Sequence, residues 1–307
     1  MTPLPPLRAM EIFEAVGHCG GITQAARRLG ISTGAVSQQM KLLEQALGIS
    51  LTVKVGQRLQ LSPNGQRFHA RCSAAFETLR LGVDEAHRAR DPHSLSISGL
   101  PSLLAKWLAP LMPEWEQQHP GVSVYLDSTL NEDLLADGVD FRIGYGDSPQ
   151  PGEHAAVLFH DCVVPVCAAS LCGPCATPAA LVQLPLIRVD SRPKFDSPPS
   201  WESWFASAGV AVEQPLRQPR TYSSTSLAID AALLGQGVVL APYAMVSGLL
   251  ASVQLLMPYA HALPLAAAYQ LRWSSDAFNK PQCRSFHRWL VARGRAQQAL
   301  TDALMGR

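Results

Sequence analysis

The chain has few charged residues and no strong bias toward either sign. Of its 307 residues, 16% are Asp, Glu, Lys or Arg, and the formal net charge is only +1. The chain as a whole therefore lacks the basicity that draws many proteins to nucleic acid. No apolar run approaches the roughly 18 residues of a membrane-spanning helix, and no basic start precedes an apolar stretch. These patterns predict a cytoplasmic protein without a membrane partner.

The seven cysteines do not form a secreted disulfide framework, because their number is odd and they are scattered over a long chain. Cys172 and Cys175 have the spacing of a redox pair, with Cys162 and Cys167 upstream. Loop or core thiols fit this segment best, and a redox pair or a zinc site stays open. No P-loop, Gly-x-Ser-x-Gly elbow or dinucleotide-binding glycine motif occurs, so we predict no enzyme activity, cofactor or resident metal.

Charge is distributed unevenly along the chain. Residues 1–62 carry six Lys or Arg against three Asp or Glu, residues 63–91 carry five against four, and residues 92–307 carry fourteen against seventeen. The length of 307 residues exceeds one typical domain and predicts at least two, and the charge distribution suggests a basic front joined to an acidic body. We place the boundaries of the predicted segments at 5–62, 63–91 and 92–307.

The front of the chain has the pattern of a helix-turn-helix. Apolar residues at steps of three predict a first helix that ends at the glycines of residues 17–21. Thr23 can then cap a short second helix, and Ser32 follows a glycine turn and can cap a third helix running to about Leu47. Two helices joined by a tight turn are the layout of many DNA-binding heads.

The polar face of this third helix, residues 32–41, carries no carboxylate. A solvated helix usually mixes Glu with Lys, whereas an acid-free face suits a phosphate-rich groove, where Gln pairs with adenine edges and Lys with phosphate. The alternative is a helical hairpin whose polar face only meets water. Lys54 and Arg58 flank the turn of a following predicted hairpin, where they contact phosphates or are simply solvated. The predicted DNA-binding residues are Thr23, Ser32, Thr33, Gly34, Ser37, Gln38, Lys41, Lys54 and Arg58, in or beside the segment Ile22 to Lys41.

Ser62 and Pro63 begin a long predicted helix with an apolar seam at heptad spacing. The seam either forms a dimer contact, which would present two recognition helices to a two-fold related DNA site, or packs onto the chain's own body. The seam residues are Phe68, Cys72, Ala75 or Phe76, Leu79, Val83 and Ala86.

From Ser94 onward, strand and helix patterns alternate, which predicts an α/β fold with mostly parallel sheets. The segment is long for one sheet, so we expect two Rossmann-like lobes, like those of periplasmic binding proteins, with a cleft between them. Ligands of such folds usually bind at the carboxyl ends of the strands.

The chain resembles the LysR-type transcriptional regulators. The front matches their DNA-binding module at LRAMEIFEAV, GGITQAARRLGISTGAVSQQMKLLEQALGISL and RLQLSPNGQRF. The body is similar at LAPLMPEWEQQHPGVSVYL, VDFRIGYGD and AALLGQGVVLAPYAMV, and RIGYGD, TYSS and FHRWL resemble the glycine-cleavage activator and β-lactamase-regulator branch. The wing departs from the family pattern, because Leu51, Thr52, Val53 and Lys54 stand where Leu-Phe-x-Arg is usual. Ser62 stands where Thr is commoner. Lys lacks the bidentate geometry of Arg, so we expect a looser phosphate contact there.

The resemblance implies an N-terminal all-α winged helix-turn-helix with a linker helix, followed by an α/β effector-binding domain. It implies a sequence-specific transcriptional regulator that binds double-stranded DNA as a homodimer or homotetramer, takes an amino acid or other carboxylate as effector, and is able to contact RNA polymerase. The alternatives are a small-molecule-binding protein of periplasmic type, which the helical front and the missing signal sequence disfavour, and an α/β enzyme with a helical appendage. The implied effector-binding residues are Ser102, Ser128, Thr129, Tyr145, Ser223, Ser224 and Pro242.

Overall fold

The chain divides into two compact units, Met1–His87 and Arg88–Arg307. Each unit has an apolar core of its own. The structure is a computed structural model, and it describes residues 4–55, 58–129, 138–146, 149, 152–171, 173, 175, 177–190, 199–212, 216 and 220–306.

The N-terminal elements are three short helices, a hairpin and a long helix. Ser32 caps the third helix, since its Oγ accepts the Ala35 N–H at 3.1 Å, and Ser62 caps the long helix by accepting the Gly65 N–H at 2.9 Å. Both predicted caps are therefore confirmed, as is the antiparallel hairpin between them. The elements are α1 (Leu7–Cys19), α2 (Ile22–Leu29), α3 (Thr33–Leu47), β1 (Thr52–Val55), β2 (Arg58–Leu61) and α4 (Pro63–Arg90).

The predicted end of α1 among the glycines is confirmed at Gly20 but not at Gly17, and the predicted cap of α2 is wrong. Helix α1 continues through Gly17 and ends at Cys19, where Gly20 takes a left-handed φ of 74°. Gly17 serves packing instead, because a Cβ there would lie 2.2 Å from the ring of His69 on α4. Thr23 is not a cap either, since α2 begins one residue earlier, at Ile22.

The apolar seam of α4 splits into two parts. Phe68, Cys72 and Phe76 pack against the core of the chain's own helix-turn-helix, with the Phe68 and Phe13 rings stacked at 5.5 Å. These three residues therefore pack within the N-terminal unit itself. Leu79 and Val83 are 52% and 55% exposed, so the second half of the seam is available to a partner.

The second unit alternates strands and helices, as predicted. A π-helical turn, Leu104–Leu108, follows its first short helix directly. The predicted helix from Asn131 lies outside the described residues, as does Cys172 of the predicted cysteine pair. The elements are β3 (Ser94–Gly99), α5 (Pro101–Leu103), α6 (Met112–Gln118), β4 (Ser123–Ser128), β5 (Phe141–Tyr145), β6 (Glu153–Val166), β7 (Leu186–Val189), α7 (Trp201–Ser207), β8 (Arg220–Tyr222), α8 (Thr225–Leu233), β9 (Val238–Pro242), α9 (Tyr243–Ala251), β10 (Leu263–Ser274) and α10 (Pro281–Met305).

In the described part of the second unit, eight strands form one sheet in the order β4-β3-β5-β10-β6-β9-β7-β8. The pairs at the two ends are parallel, as predicted, whereas β10 pairs antiparallel with β5 and β6, and β6 with β9. The sheet is therefore mixed. We expected two lobes, and the sheet does have two parallel ends, which the long strands β6 and β10 join through a pairing whose register shifts twice.

Within the described residues, no helix is both long and apolar enough to cross a membrane. The same residues contain no group of three or more His, Cys, Asp or Glu placed to hold a metal ion. Of the other cysteines in the predicted cluster, Cys162 and Cys167 are buried and Cys175 is half-buried.

Candidate nucleic-acid interface and effector site

The start of α3 presents an exposed polar surface without a carboxylate. Thr33, Gly34, Gln38 and Lys41 are exposed on it, while the opposite face of α3 is buried in the core. The Ser32 cap holds the first turn of α3 in a regular helical conformation, and Ser32 itself is exposed. Hydroxyls, an amide and one cation are thus held on a rigid element, which is what reading of base edges and phosphates requires.

Glu44, the first acid on α3, is turned away from this surface. Its Oε1 accepts the backbone N–H of Leu51 at 2.7 Å and that of Thr52 at 3.1 Å. The carboxylate therefore anchors the start of the hairpin to the recognition helix. Sequence reasoning noted the position of Glu44 but missed this role, because the contact depends on how the hairpin folds back.

The other predicted DNA-binding residues differ in exposure and in the element that carries them. Thr23, Ser32 and Lys54 are exposed, on α2, at the α3 cap and on β1. Ser37 is half-buried, and its hydroxyl donates to the Thr33 carbonyl at 2.9 Å, within its own helix. Arg58 begins β2, and its side chain lies outside the described part of the structure.

In the second unit, the carboxyl ends of the two sets of strands converge on the middle of β6. Strand β5 ends at Tyr145, opposite Tyr269 of β10, which itself pairs with Phe159 of β6. Strand β9 ends at Pro242, opposite Val163, and runs along β6 in the opposite direction to β5. A point where strand directions oppose in this way is the usual ligand site of an α/β sheet.

A cluster of serines joins the two ends of the sheet next to this point. Ser102, at the start of α5, accepts the backbone N–H of Ser226 at 3.0 Å and the Ser226 hydroxyl at 3.1 Å. Its Oγ also lies 3.4 Å from the Oγ of Ser224, which precedes α8. Of the predicted effector residues, the structure thus brings Ser102 and Ser224 together, and it adds Ser226, which the sequence prediction missed.

The remaining predicted effector residues lie at strand ends. Ser128 ends β4, and the Thr129 N–H donates to the carbonyl of Gly99, the last residue of β3, at 3.1 Å. The hydroxyl of Tyr145 accepts the Ala267 N–H at 3.1 Å. Ser223 is exposed directly before Ser224. Hydroxyls therefore border the convergence point from several strands.

An ion pair lies one helical turn behind the serine cluster. The Lys106 Nζ is 2.5 Å from Asp230 Oδ1, and the two side chains are 21% and 50% exposed. Sequence reasoning missed this pair. A signal did exist, because Lys106 follows Ser102 by four residues and Asp230 follows Ser226 by four, the spacing of one helix face.

Asp161 lies on β6 between Phe159 and Val163 and is 3% exposed. Burial raises the pKa of its carboxyl to about 7, although the hydrogen bond from the Ala244 backbone N–H, at 3.1 Å, favours the charged form. A titratable group is thus held at the centre of the sheet.

Comparisons with known proteins agree with this architecture. Residues 7–66 match the family model described as "Bacterial regulatory helix-turn-helix protein, lysR family", and residues 88–295 match "LysR substrate binding domain". The transcriptional regulator TrpI of Pseudomonas aeruginosa is 32% identical, with 94% of this chain and 97% of that protein covered. The glycine cleavage system transcriptional activator of Escherichia coli K12 is 28% identical, with 96% of each chain covered.

A solved structure has the same fold as the second unit. The effector domain of the transcriptional regulator AmpR of Pseudomonas aeruginosa is 25% identical and superposes with a TM-score of 0.53, covering 67% of this chain and 98% of that domain.

Together these findings define a transcriptional regulator with a helix-turn-helix DNA-binding domain and an α/β effector-binding domain. The chain belongs to the LysR family. The predicted family, fold class and regulator function are therefore confirmed.

Proposed function

We propose that the exposed start of α3 reads base edges in the major groove of double-stranded DNA. The observation that carries this proposal is the acid-free face of Thr33, Gly34, Gln38 and Lys41, from which Glu44 is turned away. Gln38 would pair with a base edge and Lys41 with a phosphate. Lys54 and Arg58 on the hairpin would add backbone contacts, and Thr23 and Ser32 would flank the groove.

Two alanine variants separate these roles. Gln38→Ala should weaken the free energy of binding to the specific site by about 1–3 kcal/mol and change binding to random DNA little, because it removes a contact to a base. Lys41→Ala should weaken specific and random DNA alike and lower the slope of log affinity against log salt by about 1. The measurement is fluorescence anisotropy on upstream DNA and on a scrambled duplex over a salt series.

Gln118→Ala is a matched control, because Gln118 is an exposed amide on α6 of the second unit. It should bind both duplexes as the parent chain does. Equal losses on specific and random DNA for Gln38→Ala and Lys41→Ala would contradict the assignment of roles to this face.

For the second unit, we propose a small effector with a carboxylate, such as an amino acid, bound where the strand ends converge. Support comes from the hydroxyls of Ser102, Ser224 and Ser226 and from the N–H groups of the first turn of α8, which favour an anion. Ser128, Thr129, Tyr145, Ser223 and Pro242 would border the same site.

Thermal-shift screening of amino acids and small carboxylates against the full chain tests this proposal. A ligand at about 100 times its Kd should stabilise the protein by about 2.7 kcal/mol and raise its unfolding temperature by several degrees. Ser102→Leu should abolish the shift and leave DNA binding intact, because it fills the site with an apolar side chain. A shift that survives in Ser102→Leu would place the effector elsewhere.

We also propose a cytoplasmic homodimer, able to form a tetramer and to contact RNA polymerase, in which the exposed half of the α4 seam joins two copies. Residues 5–62, 63–91 and 92–307 would be its functional segments. Effector binding would act by favouring one arrangement of the DNA-binding heads over another, as linkage requires.

A further inference from the structure

The first turn of α8 lacks the side-chain cap that its own sequence offers. Ser224 stands at the N-cap position, yet its hydroxyl makes no capping hydrogen bond. The Ser226 N–H is instead accepted by Ser102, which belongs to the opposite end of the sheet. Ser102 therefore caps α8 from another element, at an N–H group that would otherwise be free for an anion.

The two helical segments face each other through two polar contacts, one turn apart. Ser102 and Lys106 both contact α8 from the segment between Pro101 and Leu108, and Ser226 and Asp230 share a face of α8. The first contact is the hydroxyl cap at 3.0 Å, and the second is the ion pair at 2.5 Å.

Lys106 lies inside the π-helical turn Leu104–Leu108. Single π turns are rare and commonly mark functional positions, because they alter the direction in which side chains leave a helix. Leu104, Trp107 and Leu108 of the same turn are buried in the core, so the backbone that carries Lys106 is fixed. The ammonium is thereby presented to Asp230 from a rigid base.

We propose that the Lys106–Asp230 ion pair is a latch that holds the Ser102 hydroxyl on the first turn of α8. The latched contact occupies the N–H group that a carboxylate effector needs, so a ligand must displace Ser102 to bind. Lys106 and Asp230 are then positioning residues, and the latch reduces the fraction of the chain that is ready for ligand. The inference deepens the effector site proposed above.

Hydrogen–deuterium exchange of the full chain, followed by mass spectrometry of the α8 peptide, tests the latch without DNA or effector. Ser102→Ala should accelerate exchange in the first turn of α8 about tenfold, because the Ser226 N–H loses its acceptor. Ser252→Ala is the matched control and should change that exchange less than about twofold, since Ser252 is an exposed serine that follows α9 and bonds only within its own helix end.

Lys106→Met and Asp230→Asn should each accelerate the same exchange several-fold. Raising NaCl from about 50 mM to about 500 mM should accelerate this exchange in the parent chain, because salt screens the partly exposed ion pair. It should not accelerate exchange in the two variants, which lack the ion pair. The reversed pair Lys106→Asp with Asp230→Lys should restore slow exchange, which a merely structural role for either residue would not predict.

Parent-like exchange in both Lys106→Met and Asp230→Asn would overturn the latch. If a single variant unfolds, the reversed pair decides the question, and failure of that pair to restore protection also overturns the proposal. Neither result bears on whether a carboxylate raises the unfolding temperature, so the latch can fail while the proposed effector site stands.

Discussion

Asp161 is a carboxyl whose charge the fold disfavours. It is buried on β6, and its Oδ2 accepts the backbone N–H of Ala244, at the start of α9, at 3.1 Å. One helix N-terminus and the neighbouring donors do not offset the loss of water, so burial raises the pKa of this carboxyl from 3.8 to about 7. Tyr243, Tyr269 and Cys162 are the titratable neighbours, and burial raises the pKa of both tyrosines, with a smaller contribution from the Asp161 charge.

The raised pKa predicts that Asp161 makes the protein less stable as pH rises. The contribution of the protonated carboxyl to the free energy of unfolding is fully present below about pH 4, where the group is protonated in both the folded and the unfolded chain. This contribution is lost progressively as the pH rises to about 7. Between pH 5 and pH 8 the loss is of the order of 3 kcal/mol. Asp161→Asn, which keeps an acceptor for Ala244, should remove this part of the pH dependence and be more stable than the parent at pH 8.

Denaturant unfolding at several pH values measures this effect. Asp276→Asn is a suitable control, because Asp276 is exposed in a 3₁₀ turn. If Asp161→Asn and the parent lose stability equally between pH 5 and pH 8, the carboxyl is already charged in the folded protein.

At the scale of elements, helix α9 ends in a strained residue. The Val253 N–H donates to the Leu250 carbonyl and the Gln254 N–H to the Leu249 carbonyl, which is the pattern of a Schellman cap. Val253 takes the left-handed position of that cap, with a φ of 59°, although β-branched side chains disfavour it. Its side chain is 76% exposed, so nothing in the core depends on it.

Val253→Gly should therefore raise the unfolding temperature, because the relief of left-handed strain, about 1–2 kcal/mol, exceeds the added backbone entropy of glycine. Differential scanning calorimetry measures the gain. Val253→Ala keeps a Cβ and should recover only a small part of it. A lower unfolding temperature for the glycine variant would show that the strain is absent in solution.

Local signals allowed most elements to be predicted, and long-range packing explains the failures. The caps Ser32 and Ser62 depend on hydroxyls next to helix starts, so the sequence alone identifies them. The prediction that Gly17 ends a helix fails because this position needs a glycine for another reason, the close approach of the His69 ring. His69 lies 52 residues further on, so no local pattern indicates the contact. For the effector site, Ser102 and Ser224 could be predicted. The four-residue spacing marks Lys106 and Asp230 as candidates, but their pairing with each other, like the contact of Ser226, depends on which helices meet.

At the scale of the whole molecule, the split seam of α4 predicts where a dimer is held. Leu79 lies on the exposed half of the seam, and Leu81 lies on the opposite face of the same helix, at 52% and 47% exposure. Leu79→Asp should shift the chain toward monomer and weaken binding to a two-fold DNA site, because it places a charge in the proposed contact.

Leu81→Asp adds the same charge at similar exposure and should leave the dimer intact. Sedimentation velocity and anisotropy on the same samples give both readouts. Equal dissociation of the two variants, or of neither, would remove the seam from the proposed dimer.

The continuity of β6 and β10 through both ends of the sheet has a mechanical consequence. Side chains on a strand alternate between faces, so sliding either strand by one residue would invert the faces presented to both cores at once. The two ends are thus free to twist or bend against each other but not to slip. Relative motion of the two ends of the sheet is therefore a change of angle and not a slide of one strand past the other.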